Sequence, residues 1–381
     1  RWFVRWVRTP SSQKLDLRLA TALSQTHSLK ASTKVKVAII GASGYSGEEL
    51  VKLLLLHPHV QLTVLTSRQY DGRSLGEIFP RFASLPGACD LRFEAPDTPS
   101  ILQRAEVAFL ALPHGVAAEF AEPLVAGGCQ VIDLSADFRI RDPKVYREFY
   151  GFDHPAPQLL SQAVYGLPEW RREAIRSAQL IASPGCYPTS ILLPTLPLIR
   201  DGLIQPASLV ANSLSGVSGA GRKADIPFLF VECNESVRPY GVTFHRHLSE
   251  IEQEISLAAQ TPTVIQFTPH LIPVNRGILT TMSVAPSKQA EGLAGIDQIE
   301  VCLRQAYEGE PFVRLLGPEA LPDTKHVVGT NHIEIAWRMD PRTGRLMLMS
   351  AEDNLLKGAG GQAIQSMNIL RGLPETAGLL L

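Results

Sequence analysis

Val35-Lys-Val-Ala-Ile-Ile-Gly-Ala-Ser-Gly-Tyr-Ser-Gly47 is the stretch whose reading decides the fold. Its first six residues are mostly apolar and read as a buried strand, which runs into three glycines at three-residue spacing before a helical pattern over residues 48–56. Strand, glycine loop and helix in that order is the setting a dinucleotide pyrophosphate requires. Gly41 allows the tight turn, Gly44 the close approach of backbone N–H groups, and Gly47 the packing of helix against strand. The first interval is one residue wider than in G-x-G-x-x-G, so the placement between strand and helix carries the reading rather than the glycines alone. Gly41, Ser43, Gly44, Tyr45, Ser46 and Gly47 are the first candidate cofactor contacts.

Residues 61–67 read as the next strand, and it ends at Ser67-Arg68, where an NAD enzyme would place an acid against the ribose hydroxyls. A hydroxyl and a guanidinium suit a 2′-phosphate, so Ser67 and Arg68 point to NADP. Residues 107–112 and 130–134 are further short apolar strands, followed by Pro113-His-Gly115 and Ser135-Ala-Asp-Phe-Arg139. Strands alternating with helices predict an α/β, doubly wound, Rossmann-type sheet with its ligand beyond the C-terminal ends of the strands. Residues 71–99 read as a looser stretch with no chemistry assigned.

The chemical centre is Leu180-Ile-Ala-Ser-Pro-Gly-Cys-Tyr-Pro-Thr-Ser190, a short apolar strand that breaks at Pro184-Gly185 and presents Cys186. A helix is expected to start just past Cys186 and to stop at Gly202, with Pro194 and Pro197 kinking or shortening it. A thiol at a helix N-terminus has its pKa lowered from about 8.5 toward roughly 3.5–7.5, which would make Cys186 a thiolate nucleophile. The plain alternative is an inert core thiol.

Beyond Cys186 the strand-like segments 208–214, 263–267, 279–284, 332–337 and 345–349 have fewer helices between them, which predicts an α+β domain with a mixed, mostly antiparallel sheet. The segment Ser215-Gly-Val-Ser-Gly-Ala-Gly-Arg-Lys223 is either a small-residue loop that closes over phosphates or an ordinary long turn. Arg238-Pro-Tyr-Gly-Val-Thr-Phe-His-Arg-His247 precedes a capping box of Ser249 and Glu252, which places His245 and His247 on the loop entering a helix at Ser249. Without acidic or thiol partners at ligand spacing these histidines do not read as a metal site. A general base beside an anion-binding arginine is the stronger reading, with Val242 and Phe244 expected to half-bury His245. After a polar glycine-rich loop, 352–362, Ile364, Met367 and Leu370 recur at helical spacing and give one core-facing helix face, with Asn354 placed to sit near a cofactor ring.

Composition sets the bounds. A chain of 381 residues calls for two domains, a net charge of -1 gives no field for nucleic acid, and no apolar run of about 18 residues spans a membrane. Five cysteines, never spaced as Cys-x-x-Cys, fit a reducing compartment. Residues 1–34 hold four arginines, three lysines and one acid, Asp16. Such a segment reads as an organellar transit peptide or a translated upstream tail, expected outside the fold. The location expected is cytoplasmic, or plastid or mitochondrial if the segment is a transit peptide.

With these pieces in place the chain resembles the N-acetyl-gamma-glutamyl-phosphate reductases, relatives of the aspartate-semialdehyde dehydrogenases. The likeness runs from about Lys34 onward and rests on 41–47, 133–139, 184–189, 215–222, His245-Arg-His247 with Glu250-Ile251, and Asp353-Asn354 with Lys357-Gly358 and Gly361-Gln362. Ser249 departs from the family's usual proline, and Ser is itself a good N-cap. The resemblance implies an NADP-binding domain over 35–183 joined by the C-terminal segment 352–381, and a catalytic and oligomerisation domain over 184–351. It implies Cys186 as nucleophile, His245 as acid/base with Glu250 as its orienting partner, and Arg139, Arg238 and His247 as substrate contacts. Ser215, Gly216, Gly219 and Asn354 join the cofactor set. The chemistry implied is NADPH-dependent reduction of N-acetyl-gamma-glutamyl phosphate to the semialdehyde through a thioester, in arginine biosynthesis, by a homodimer or homotetramer. The alternatives are a phosphorylating enzyme for another acyl phosphate, a hydrolase or non-phosphorylating aldehyde dehydrogenase sharing the Cys-His pair, and a silent NADP-binding regulator.

Overall fold

Within Val35–Ile40 only Lys36 is exposed; Val37 and Ile39 enter one hydrophobic core and Ala38 and Ile40 another. A strand buried on both faces demands helices on both sides of its sheet. The computed structural model describes residues 34–379 apart from Lys223 and Glu291, so the reading of the N-terminal extension lies outside the described residues. In it β1 (Val35–Ile40), β2 (Val60–Thr66), β3 (Phe93–Glu94), β4 (Val107–Leu110), β5 (Gln130–Asp133), β6 (Ala163–Tyr165) and β7 (Leu180–Ala182) form one sheet in the order β3-β2-β1-β4-β5-β7-β6, parallel throughout.

Between its strands the chain runs through α1 (Tyr45–Leu55), α2 (Thr98–Arg104), α3 (Ala117–Ala126), α4 (Pro143–Tyr150) and α5 (Pro168–Arg176). Leu50 and Leu54 of α1 pack on Val37, Ile39 and Phe109, while Phe120 and Leu124 of α3 pack on Ala38, Ile40 and Leu110. Each such side chain contributes about 1.5–3 kcal/mol by leaving water. The order reverses between β1 and β4, and the crevice for a ligand opens there, past the strands' C-terminal ends.

The second sheet gathers β8 (Val210–Gly216), β9 (Arg238–Pro239), β10 (Gln266–Ile272), β11 (Ile278–Val284), β12 (Val313–Gly317), β13 (Ile333–Asp340) and β14 (Arg345–Glu352) in the order β12-β13-β14-β11-β8-β10-β9. Only β12–β13 and β8–β10 pair in parallel, so the sheet is mixed and mostly antiparallel, as expected. Along β11, Ile278, Thr280, Met282 and Val284 are buried and alternate with half-exposed residues. One face is covered by α6 (Cys186–Arg200), α7 (Arg246–Ala259) and α8 (Gly292–Ala306). The last helix, α9 (Gly361–Leu370), returns to the first sheet, with Ile364 and Met367 in its core. All ten residues of α9 are buried, where the periodicity predicted a single core face.

Two helix boundaries differ from expectation for physical reasons. Helix α7 begins at Arg246 rather than Ser249, because the His245 side chain supplies the cap by accepting from the His247 N–H. Helix α6 begins at Cys186 itself and runs to Arg200 through Pro194 and Pro197. Each proline lacks the N–H that the carbonyl four residues earlier needs. The Ser350 hydroxyl donates to Ser190 O at 2.7 Å, and the Tyr307 hydroxyl donates to Leu193 O. Both orphan carbonyls are therefore satisfied from outside the helix.

This arrangement predicts the effect of Tyr307→Phe, which leaves the buried Leu193 carbonyl without a donor and costs ~1–3 kcal/mol. Denaturant midpoints measured with and without Pro197→Ala check the cause. The loss should shrink once position 197 regains a backbone N–H, and an equal loss in both backgrounds would disconnect the hydroxyl from the proline.

Candidate active site

Strand β7 delivers Ser183 to a bond from its N–H to Asp133 O at 2.8 Å, after which Pro184 and Gly185 turn the chain into α6. A side-chain carbon on Gly185 would lie 2.7 Å from His247 Nε2 and 3.0 Å from Arg139 Nη1, so only glycine lets both groups come this close to the residue before Cys186. Gly358 closes the other side, where a side-chain carbon would lie 2.8 Å from Cys186 Cβ.

Under this turn sits Glu250, fully buried. Its Oε1 accepts from Gly185 N–H at 2.9 Å and from the Tyr165 hydroxyl at 2.7 Å, and its Oε2 faces Arg139 Nη1 at 3.4 Å. Burial raises its pKa against the pull of Arg139. This corrects the expectation that Glu250 orients His245. As the cap residue of α7, His245 meets the backbone of its own first turn, while Glu250, one turn on, faces the cysteine turn. Arg139, expected at the substrate, donates from Nε to Ser183 O and from Nη2 to Leu134 O, both at 2.7 Å, so most of its guanidinium holds the turn.

Cys186 is half-buried and lines a cavity of about 710 Å³. Burial foremost pushes its thiol up to about 12, an ionised Glu352 would push the same way, and the Tyr187 N–H and Arg139 act against them. The expected thiolate is thus a thiol in the resting site, because one backbone N–H does not offset removal from water. A base must take the proton.

Two imidazoles stand ready. His245 Nδ1 accepts from His247 N–H at 3.1 Å, which leaves the proton of the neutral ring on Nε2. The rings of Tyr187, Tyr240, His247 and Phe267 surround it at 5.0–5.6 Å between centroids. The expected cover, Val242 and Phe244, is instead half exposed at 51% each. Burial, then Arg246, brings His245 down to about 4. His247 is pushed well below the usual histidine value, by burial first and then by His245 and the Arg139 guanidinium beside it, and its buried Nδ1 finds no partner among the described residues. Both are neutral at pH 7.

The same cavity extends past Tyr187, Tyr240, Ser215, Gly216, Gly219 and Asn354 to Ser46 and Leu112 near the glycine loop. Gly41 has a φ of +86° and room for no side chain, with Ala111 O at 2.4 Å from where one would start, and Gly47 would meet Gly41 O at 2.5 Å. Gly44 caps α1, and a side-chain carbon there would meet nothing nearer than Gly41 O at 3.8 Å. Ser43 and Ser67 join their hydroxyls at 3.0 Å across the ends of β1 and β2, and Arg68 is exposed beside them. Tyr45 lies beneath the Arg222 guanidinium, 5.1 Å away. Asn354 accepts from Gly277 N–H at 2.8 Å and donates to the Ser218 hydroxyl at 2.9 Å, which orders the 215–222 loop. Arg238 lines the cavity while its guanidinium grips the carbonyls of Pro227 and Glu232.

His114 was missed from sequence. It lines the cavity, its Nδ1 accepts from Ala136 N–H at 3.0 Å, and burial foremost lowers it to about 3. Its place just after β4, beside the reversal of strand order, was the signal available. No cluster of three or more potential metal ligands occurs among the described residues.

Residues 36–178 match the semialdehyde dehydrogenase NAD-binding domain and residues 186–354 the semialdehyde dehydrogenase dimerisation domain, and the chain belongs to the semialdehyde dehydrogenase family. Within that family it is 58% identical over 347 residues to the N-acetyl-gamma-glutamyl-phosphate reductase of Akkermansia muciniphila, covering 91% of this chain and 99% of that protein. To the reductase of Moorella thermoacetica it is 48% identical, with 91% and 98% covered. Among solved structures the fold is shared with aspartate semialdehyde dehydrogenase II of Vibrio cholerae (TM-score 0.67, 18% identity, 90% and 99% covered). It is also shared with the aspartate semialdehyde dehydrogenase of Candida albicans solved with NADP (TM-score 0.63, 16% identity, 89% and 99% covered).

The Glu250 contacts generate a prediction. Glu250→Ala strands the Arg139 charge and the Gly185 N–H, and is expected to cost about 3–5 kcal/mol in denaturant unfolding. The titration of His245 followed by NMR should stay where it is. A clear shift of that titration would place the carboxylate's influence on the imidazole after all.

Proposed function

We propose that this protein reduces N-acetyl-gamma-glutamyl phosphate with NADPH to N-acetylglutamate semialdehyde and phosphate, through a thioester on Cys186, as a step of arginine biosynthesis. The observation that carries the reading is Cys186 at the start of α6, on the wall of one cavity that also holds His245 and His247 and reaches the glycine loop. The identity to the two reductases supports the choice of acyl phosphate.

In this reading neutral His245 takes the Cys186 proton on Nδ1, in place of the bond it accepts there from the His247 N–H, as sulfur attacks the acyl carbon. The S–C bond forms, the C–O bond to phosphate breaks, and the imidazole passes the proton to the leaving phosphate. When bound, NADPH supplies hydride to the thioester carbon. The resulting alkoxide collapses, the C–S bond breaks to release the aldehyde, and sulfur regains a proton from solvent. Gly44, Ser43, Ser67 and Arg68 would hold the nucleotide, with Arg68 at a 2′-phosphate. Arg139, Arg238 and His247 would line the acyl end.

All five cysteines stand free, which supports a reducing compartment such as the cytoplasm. We read the assembly as a homodimer or homotetramer built through the second sheet. The dimerisation-domain match supports this, as do the exposed apolar residues Ile226, Phe230 and Val231, at 72%, 79% and 83%.

Two tests follow. Cys186→Ala should abolish phosphate-dependent NADP reduction, assayed with N-acetylglutamate semialdehyde and a panel of other semialdehydes, while NADPH binding persists. His245→Asn should lower the rate by roughly 10²–10⁴ and remove the acid limb of the pH profile, which lies below the ordinary histidine range because the ring is held near 4. His247→Asn should chiefly raise KM, and the reverse pattern would transfer the base to His247. Turnover retained by Cys186→Ala would end the thioester reading. For the cofactor, Arg68→Ser should weaken NADPH at least tenfold and NADH little, since a bond to a charged group contributes roughly 1.5–3 kcal/mol. Equal losses would separate Arg68 from the 2′-phosphate.

A further inference from the structure

Glu352 ends β14, which runs beneath α6. The Ser350 hydroxyl meets Ser190 O there, so two residues on along the strand and one turn back along the helix bring Glu352 to Cys186. The two meet around Gly358. A side-chain carbon at that glycine would lie 2.8 Å from Cys186 Cβ and 3.0 Å from Glu352 Oε1.

Glu352 is fully buried, and neither of its oxygens has a hydrogen-bond partner among the described residues. The charged groups that act on it are Lys357, Asp353 and Glu169. Lys357 Nζ already donates to Glu169 at 2.6 Å and Gln365 at 2.9 Å, and Asp353 is bound by Arg276 at 2.9 Å and by the Gly329 N–H at 2.8 Å. Lys357, the cation that acts on it among the described residues, is already paired, and burial holds the group well above the usual carboxylate range. A protonated carboxyl carries one O–H donor, and the Cys186 side chain stands across Gly358 from it.

We propose that Glu352 is a positioning residue for Cys186: it remains protonated, directs its O–H to the sulfur, and so favours the thiolate over the thiol. The inference rests on the reading of Cys186 as the nucleophile. A neutral donor here offsets part of what burial does to the thiol, whereas an ionised Glu352 would oppose the sulfur's negative charge. The carboxyl is therefore useful to the reaction only while it keeps its proton.

The test is the rate of iodoacetamide alkylation of Cys186 against pH, read by peptide mass spectrometry on the full chain. Glu352→Leu, which has no donor, should slow alkylation at pH 7 by about 10–100-fold, the size of one bond to a charged group, and leave exposed Cys89 unchanged. Glu352→Gln keeps an N–H donor and should stay within about threefold of the unaltered protein. An unchanged profile in Glu352→Leu would make the residue a structural filler, and faster alkylation would make it an anion; either overturns the proposal. Should Glu352→Leu not fold, infrared difference spectra between the unaltered protein and Glu352→Gln decide. A protonated-carboxyl C=O band that is lost in Glu352→Gln is expected, and its absence overturns the proposal. The nucleophile reading itself fails only if Cys186→Ala retains turnover, so the two failures are distinguishable.

Discussion

One buried carboxylate decides whether this molecule has a site at all. Glu250 belongs to the helix over the second sheet, yet its donors are the Gly185 N–H, the Tyr165 hydroxyl and the Arg139 guanidinium, all supplied from the first sheet and its loops. A charge taken from water is tolerable only when its lone pairs are met in good geometry, so these donors must hold their places together. Neighbouring contacts extend the seam, since Gln253 accepts from the Arg141 N–H and donates to the Arg139 carbonyl, and Arg171 pairs with Glu254 at 2.9 Å. The turn that presents Cys186 is thereby fixed from below by the other half of the molecule.

The features legible in the sequence are those set by local rules. Gly41 is required by its positive φ, Gly47 by backbone contacts within the same loop, and the Pro184-Gly185 break by a strand meeting a helix. What stayed illegible needed a partner far along the chain. The prolines of α6 are harmless because hydroxyls some 110 and 160 residues away reach its carbonyls, which no pattern around residue 194 records. His245 caps its own helix, so the Ser249–Glu252 box, though well formed as a sequence, lost to a cap four residues earlier. The thiol's shift reversed sign because a dipole is visible in sequence and desolvation is not. Glu352 hid for a similar reason: a single acid at the end of an apolar strand looks like a strand end facing water.

At the nucleotide end the same division of labour holds. Arg276, in the turn between β10 and β11, reaches Glu49 of α1 and Asp353 at 2.9 Å each, so the helix behind the glycine loop is tethered to the second sheet. Asn354, next in sequence, pins Ser218. The segment 352–354 thus contributes to the floor beneath the cysteine, the tether of the glycine-loop helix and the latch of the 215–222 loop in three consecutive residues.

Helix α6 also has a consequence in time. With Pro188, Pro194 and Pro197 in fifteen residues it has little capacity to nucleate alone, and its interior carbonyls wait for Tyr307 and Ser350, which enter the chain more than a hundred residues later. Loop closures of that length come late and slowly. A chain still emerging, or one cut short before its last strand, therefore holds its reactive cysteine in an unfinished helix, and the thiol comes to stand at its place only once nearly the whole protein is made.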